Sequence, residues 1–378
     1  MRAVVWLIGL ALATSACALR QAAPTATLQA EVKDFATGQP VAGAAVRLVD
    51  AQQSREITTT DAAGRFAITR LGEKVTLELA AAGKAPLRRS LRLAPGEERD
   101  LDLFMVAPGA ALPDDTILFE RGGHVFRTDP AGLAVSDLTA DLPGVHASPT
   151  WNADRTQFAF IQRIPGRAQV ATRYADGSPG RFVGDVPDST SQLRWNPEGR
   201  VLVFAYAART PKGQFSELRA MDVFSGAHRD LVGGQEERDP AWSRDGRFLA
   251  WARLIPGRTW ELWSSGHDGG ANRILLASYN AREPAWSPDG KRVAFSSNRE
   301  GDYNLYEMAL EAPRPRRLTL VPPGGWARRP LYSPLGDEIL FETNVVRGAV
   351  QEVPNLSALN LRTGRWHEVV DEAREAAW

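Results

Sequence analysis

The sequence predicts an all-β protein in two parts, a seven-stranded β-sandwich followed by a six-bladed β-propeller closed by the C-terminal strand. Three observations carry this. Short runs alternate apolar and polar residues, which is the period of strands. Between residues 25 and 106 no apolar stripe of helical spacing interrupts them. From residue 116 onward an aromatic residue recurs at 151, 195, 242, 286, 332 and 378, with gaps of 44, 47, 44, 46 and 46 residues.

Composition narrows the function. Lys plus Arg and Asp plus Glu are both 45, so the net charge is zero. An obligate nucleic-acid binder needs a basic excess to displace counterions, so no nucleic-acid partner is expected, though local charged patches remain open. Hydrophobic residues are 43% and charged residues 24%, the proportions of a folded chain. A single cysteine excludes an intrachain disulfide and a multi-cysteine zinc site.

Residues 1–16 have the layout of a secretory signal. Met1-Arg2 is basic, and Ala3 to Ala13 is an apolar run too short for a bilayer span. Thr14-Ser15-Ala16-Cys17 then resembles the lipobox of bacterial lipoproteins, although Thr14 stands where a larger aliphatic is usual. The resemblance implies cleavage before Cys17, lipidation of its thiol, a tether over 17–24, and membrane attachment by several acyl chains. Ala18 in place of aspartate points to the outer membrane, with the protein facing the periplasm or the cell surface.

Residues 25–106 read as the sandwich. Leu28, Ala30 and Val32, then Val46 and Leu48, Phe66 and Ile68, and Val75, Leu77 and Leu79 form alternating apolar sets separated by Gly-containing turns. Seven short strands with these turns predict an antiparallel sandwich. Glu31–Val46 (EVKDFATGQPVAGAAV) followed by Thr59–Phe66 (TTDAAGRF) resembles the carboxypeptidase regulatory-like domain, which implies a transthyretin-like sandwich acting as an accessory or binding module. Ala30 and Lys84 depart from that pattern, where glycine and an aromatic are usual. Residues 107–115, with Pro108, Gly109, Pro113 and two aspartates, read as a linker.

Residues 116–378 are the repeat region. Pro240-Ala241-Trp242-Ser243-Arg244-Asp245-Gly246 and Pro284-Ala285-Trp286-Ser287-Pro288-Asp289-Gly290 show the motif most fully. Each unit reads as four strands; in the fourth copy the turn after the aromatic, Ser287-Pro288-Asp289-Gly290, has proline at its second position and glycine at its end. Four strands every ~45 residues make a propeller blade. The motif resembles the WD40-like repeat of TolB-type propellers. Ala376-Ala377-Trp378 is a first strand without a second, and Thr116-Ile117-Leu118-Phe119 a second without a first. Pairing them closes the ring without an open edge.

The repeat tryptophans are expected to pack between blades, each burying ~150–250 Å². Catalysis has no visible seat: no two histidines have metal-ligand spacing, and no Gly-x-Ser-x-Gly or phosphate-cradling glycine loop occurs. No cofactor and no metal are expected. The candidate binding residues lie just before the first strands. Arg238, Arg282, Arg328 and Arg374 sit four residues before a repeat aromatic, followed by Asp239, Glu283, Arg329 and Glu375. They are either salt bridges between blades or a basic crescent at the channel mouth that receives a carboxylate-bearing partner. TolB-type propellers bind partners at such a mouth, so an envelope protein or peptide is the partner implied, and a role in envelope integrity or transport. A lipid and a sandwich replace the soluble α/β arrangement of TolB, so binding to peptidoglycan-associated lipoprotein is not implied. Two alternatives stay open: a subunit of an enzyme acting on glycans or peptides, and a surface carbohydrate-binding module using Trp260 and Trp326.

Overall fold

A computed structural model describes residues 25–34, 37–49, 54–93, 95–108, 115–210, 213–257, 259–346 and 348–378. The signal-like segment, Cys17 and most of the 107–115 linker lie outside the described residues. Every element among the described residues is a strand or a turn, as the alternating patterns require.

The N-terminal part packs a three-stranded sheet on a four-stranded one. In the first, strand Ala26–Asp34 lies between Arg65–Leu71 and Glu98–Met105. One expectation needs correction here. Ala26–Asp34 pairs with Glu98–Met105 in parallel, Thr27 opposite Glu98 through Asp34 opposite Met105, so the sandwich is not wholly antiparallel. The chain reaches Glu98 from the other sheet, where Leu87–Arg92 is an edge strand, and re-enters beside the start of the first strand. The alternating residues named above fill the core, with Leu28, Val32, Val46, Leu77 and Leu79 fully buried. Gly64 is obligatory: its φ is +72°, and a Cβ there would stand 2.4 Å from the Val32 carbonyl oxygen. Lys84, one of the two departures, ion-pairs with Asp34 and so ties the turn after strand Lys74–Ala80 to the first strand.

The repeat region forms four-stranded antiparallel sheets, six of them among the described residues. Their first strands are Val145–Trp151, Ser191–Trp195, Glu236–Trp242, Ala281–Trp286, Ala327–Tyr332 and Arg374–Ala377. The last of these belongs to the sheet of Ile117–Arg121, His124–Thr128 and Ser136–Asp137, with Ala377 opposite Leu118 and Arg374 opposite Glu120. The first strands from Val145–Trp151 to Ala327–Tyr332 pack side by side in succession, Arg374–Ala377 packs on Val145–Trp151 and on the second and third strands of the preceding sheet, and residues of all six line a channel.

The hydrophobic cores lie between sheets. Trp195 packs on Ile161 and Val170 of the preceding sheet, Trp286 on Ala250 and Leu262, and Tyr332 on Ala294 and Leu305. Trp378 packs on Leu340 and Leu356 and donates its indole N–H to the Asp115 carbonyl at 2.9 Å. The turn after each aromatic repeats the same device. Ser243, Ser287 and Ser333 accept the backbone N–H of Phe248, Arg292 and Glu338 on their hydroxyl oxygens.

The two parts touch through charge. Arg89 pairs with Asp115, and Arg365 Nη1 meets Glu98 Oε2 at 3.3 Å. Arg362 and Arg365 also donate to the carbonyls of Leu101 and Glu98, capping the edge strand of the sandwich. A groove of about 860 Å³ runs along this contact, with Leu93, Arg99, Leu320 and Trp366 in its walls.

Candidate functional site: the mouth of the channel

The six first strands share a backbone irregularity. Three residues before each repeat aromatic, Ser148, Gln192, Asp239, Glu283, Arg329 and Glu375 have φ between 50 and 59°. None is glycine, so each carries strain of order 1–3 kcal/mol that its surroundings must offset. The pairing register slips at the same place in every sheet, as at Ala147/Thr150, Arg238/Ala241 and Arg328/Leu331. These are β-bulges, which re-aim a side chain.

The offset is a ring of hydrogen bonds from sheet to sheet. The Gln192 N–H donates to Ser148 Oγ at 3.1 Å, and the Asp239 N–H to Gln192 Oε1 at 2.8 Å. The Glu283 N–H donates to Asp239 Oδ2 at 3.3 Å, and the Arg329 N–H to Glu283 Oε2 at 3.0 Å. The Ser148 N–H donates to Glu375 Oε2 at 2.7 Å, across the junction of the last strand with the earlier sheets. In each step, a side-chain oxygen at the bulge accepts the N–H of the next bulge. One step must differ, because a guanidinium offers no acceptor. There the Glu375 N–H donates to Glu342 Oε1 at 2.6 Å, and Arg329 Nη1 binds the same carboxylate at 3.1 Å.

The four arginines one position earlier are engaged with carboxylates. Arg282 Nε lies 3.1 Å from Asp239 Oδ2, and Arg328 Nη2 lies 2.6 Å from Glu283 Oε1, both between sheets. Arg374 pairs with Glu120 inside its own sheet, and Arg238 with Glu236 inside its own strand at 2.7 Å. Arg282 also stacks over Trp260, with 4.5 Å from its guanidinium carbon to the ring centroid. Thus Asp239, Glu283, Arg329 and Glu375 belong to the hydrogen-bonded ring, and Arg282 and Arg328 brace it.

Charge is nearly balanced at the mouth. Burial alone would push the Glu283 carboxyl up, but Arg328 and Arg329 overcome it and hold it below the usual range. Burial pushes Glu342 up, against Arg329 and the Glu375 N–H. Arg329 Nη1 lies 3.1 Å from Glu342 and 3.9 Å from Glu375, with its Nε 3.8 Å from Glu283, so a guanidinium sits where these carboxylates converge. Among the described residues no cluster of His, Cys, Asp or Glu is placed to hold a metal ion.

The channel is a cavity of about 260 Å³. Its wall holds the ring residues, the prolines 240, 284 and 330, and Arg194. Arg194 and Glu342 were not singled out from sequence. Arg194 had a signal: it is the one charged residue directly before a repeat aromatic, where the other copies have Thr150, Ala241, Ala285, Leu331 and Ala377. Glu342 had none, since it comes from the second strand of its sheet. Ser148 and Gln192, the neutral members of the ring, were not singled out either, because they carry no charge.

Comparison with known proteins agrees with this architecture. Residues 27–106 match the carboxypeptidase regulatory-like domain. Compared by sequence with curated proteins, the chain matches none. By structure it resembles TolB from Acinetobacter baumannii at a TM-score of 0.58 and 15% identity, over 81% of this chain and 79% of that one. A chain assigned as TolB from Agrobacterium tumefaciens gives 0.54 and 16%, over 68% of this chain and 88% of that one. A hydrazine synthase chain from Kuenenia stuttgartiensis gives 0.54 and 12%, over 69% of this chain and 46% of that one, so this fold is not tied to one function. The molecule therefore joins a carboxypeptidase regulatory-like domain to a β-propeller of the TolB fold.

Proposed function

We propose that this is a non-enzymatic, lipid-anchored protein of the bacterial cell envelope whose six-bladed propeller docks a protein or peptide at its channel mouth. On this reading Cys17 carries the lipid in the outer membrane, and the sandwich is a spacer or second binding module near that membrane. A role in envelope integrity or transport follows from the likeness of its fold to TolB.

The observation that carries the reading is the hydrogen-bonded ring. Six strained bulges present one level of side chains around an open channel, a rigid frame of the kind that binding sites use. The same observation favours a platform over an enzyme. Asp239, Glu283, Glu342 and Glu375 are each committed to backbone N–H groups of the ring or to arginines, which leaves none of them poised as a general acid or base.

The test is site-specific photo-crosslinking in native membranes. A benzophenone side chain replaces the exposed Arg238 at the mouth and, as control, the exposed Leu320 beside the interdomain groove. A discrete adduct from position 238 and none from 320 is the expected result. No adduct at 238, or the same adduct from both, overturns mouth docking. Metabolic labelling with a fatty acid tests the anchor, and label retained after Cys17→Ala would remove it.

A further inference from the structure

We infer that the channel receives the free carboxylate at the end of a peptide chain and that Arg194 is the group that holds it. This rests on the mouth being the docking site and names the chemistry it selects.

Arg194 differs from every other arginine at the mouth. Arg238, Arg282, Arg328, Arg329 and Arg374 each meet a carboxylate within 4 Å. Arg194 meets none among the described residues. Its one hydrogen bond there goes from Nη1 to the carbonyl of Leu193, the residue before it, at 2.8 Å. Burial and the neighbouring Arg329 both act against its charge, with Glu375, Asp239 and Glu342 compensating from a distance. A half-buried guanidinium with donors unused among the described residues is matched by a carboxylate, which it can bind through two parallel hydrogen bonds. An ammonium group is a poorer match, because the carboxylates around the channel already hold arginines or ring N–H groups.

Two features select a chain end. The cavity, about 260 Å³, is below the ~300–1,000 Å³ of a typical small-molecule site and too small for a folded element. Arg194 lies one residue before the aromatic, deeper than the ring. At the far end, Arg244 in the turn after one first strand donates to the Pro334 carbonyl at 2.9 Å, in a turn two sheets further on. That strap ties together two of the turns that follow first strands, at the end of those strands away from the ring. A segment entering past the ring meets Arg194 before the strap, so its leading group is the one read.

The experiment uses the full chain and three pools of N-acetylated random tripeptides. One pool has free C-terminal carboxylates, the second has C-terminal amides, and the third has amides with glutamate fixed at the last position. Saturation-transfer NMR and the fluorescence of the channel tryptophans report binding. The free-acid pool is expected to bind at least tenfold more tightly than the amide pool. Arg194→Gln should reduce it to the amide level, and Arg194→Lys should recover part, with unchanged melting as the check on folding. Equal binding of acids and amides, or full binding by Arg194→Gln, overturns the assignment while leaving mouth docking intact. Equal binding of the glutamate-amide pool transfers the site to side-chain carboxylates and overturns the chain-end reading. If no pool binds, the inference falls. The crosslink at position 238 then decides separately whether the mouth docks anything.

Discussion

The sandwich and the ring solve the same burial problem in opposite ways. The sandwich encloses one core drawn wholly from residues 26–105, so each of its sheets needs only the other. The ring has no such centre. Its cores lie between successive sheets, and each repeat aromatic completes the core of the sheet before it. A unit built this way is incomplete alone, so the stability of the ring depends on its closure. The polar side follows the same division. The sandwich satisfies its turns locally, as Asp34 does by accepting from both the backbone N–H and the hydroxyl of Thr37. The ring satisfies its bulges only by reaching into the next sheet.

The contrast can be broken most severely at the junction. Deleting residues 374–378 removes the strand that pairs with Ile117–Arg121 and uncovers Ile117 and Phe119, both fully buried. The ring should lose cooperative unfolding and become sensitive to protease, while a fragment of about 80 residues corresponding to the sandwich survives digestion. A next comparison pairs two core substitutions. Trp286→Ala should cost about 3–5 kcal/mol and lower the ring transition alone. Leu77→Ala should cost about 2–5 kcal/mol and act on the sandwich transition alone. Two separately moving transitions in calorimetry would confirm the division, and a single transition shifted by both would dissolve it.

A smaller effect is expected at the ring of bulges. Arg329→Gln leaves Glu283 and Glu342 without their shared guanidinium. The cost should be about 2 kcal/mol, less than for a fully buried pair because Arg329 is about a third exposed. Protonation relieves this repulsion, so the deficit should shrink as the pH is lowered.

The smallest effect concerns His146. It is fully buried in the second sheet of the ring, its ring centroid 5.6 Å from that of His124. Among the described residues neither of its nitrogens makes a hydrogen bond of good geometry, the Pro143 backbone being the polar group that bears on it. Burial, then His124, lowers its pKa from the ordinary value of 6.5. The folded state therefore favours the neutral ring. Its contribution is complete above pH 6.5 and is lost as the pH falls below, by up to ~1.4 kcal/mol per unit until the lowered value is passed. His146→Leu should flatten this acid limb. Glu338, beside the interdomain contact, has the opposite sign. Burial and Asp337 raise it to about 7, so its contribution is complete below 4.5 and fades as the pH rises through 7. A stability profile of Glu338→Gln should lack that alkaline loss.

How much was legible follows from what each feature depends on. The strands, the turn after each aromatic and the packing of Trp151, Trp195, Trp286 and Tyr332 between sheets depend on local pattern and spacing, and were readable. The parallel pairing of Ala26–Asp34 with Glu98–Met105 was not, because alternation shows a strand but not the direction of its neighbour. At the mouth, Arg238, Arg282, Arg328 and Arg374 were found by position. Their partners were not, since Asp239 meets Arg282 and Glu283 meets Arg328 only across a sheet boundary.

The sequence by itself determined that this chain is all-β, that a regulatory-like domain precedes an aromatic-headed repeat, and at which level of that repeat the charged residues stand. These are properties of spacing and side-chain period, which a linear chain carries intact. The tertiary structure alone decided which charges neutralise one another, that Glu342 supplies the acceptor Arg329 lacks, and that Arg194 faces the channel with no carboxylate of the described residues within 4 Å. Those depend on distances of 3–4 Å between strands some 45 residues apart, where electrostatic and hydrogen-bond energies change steeply with position.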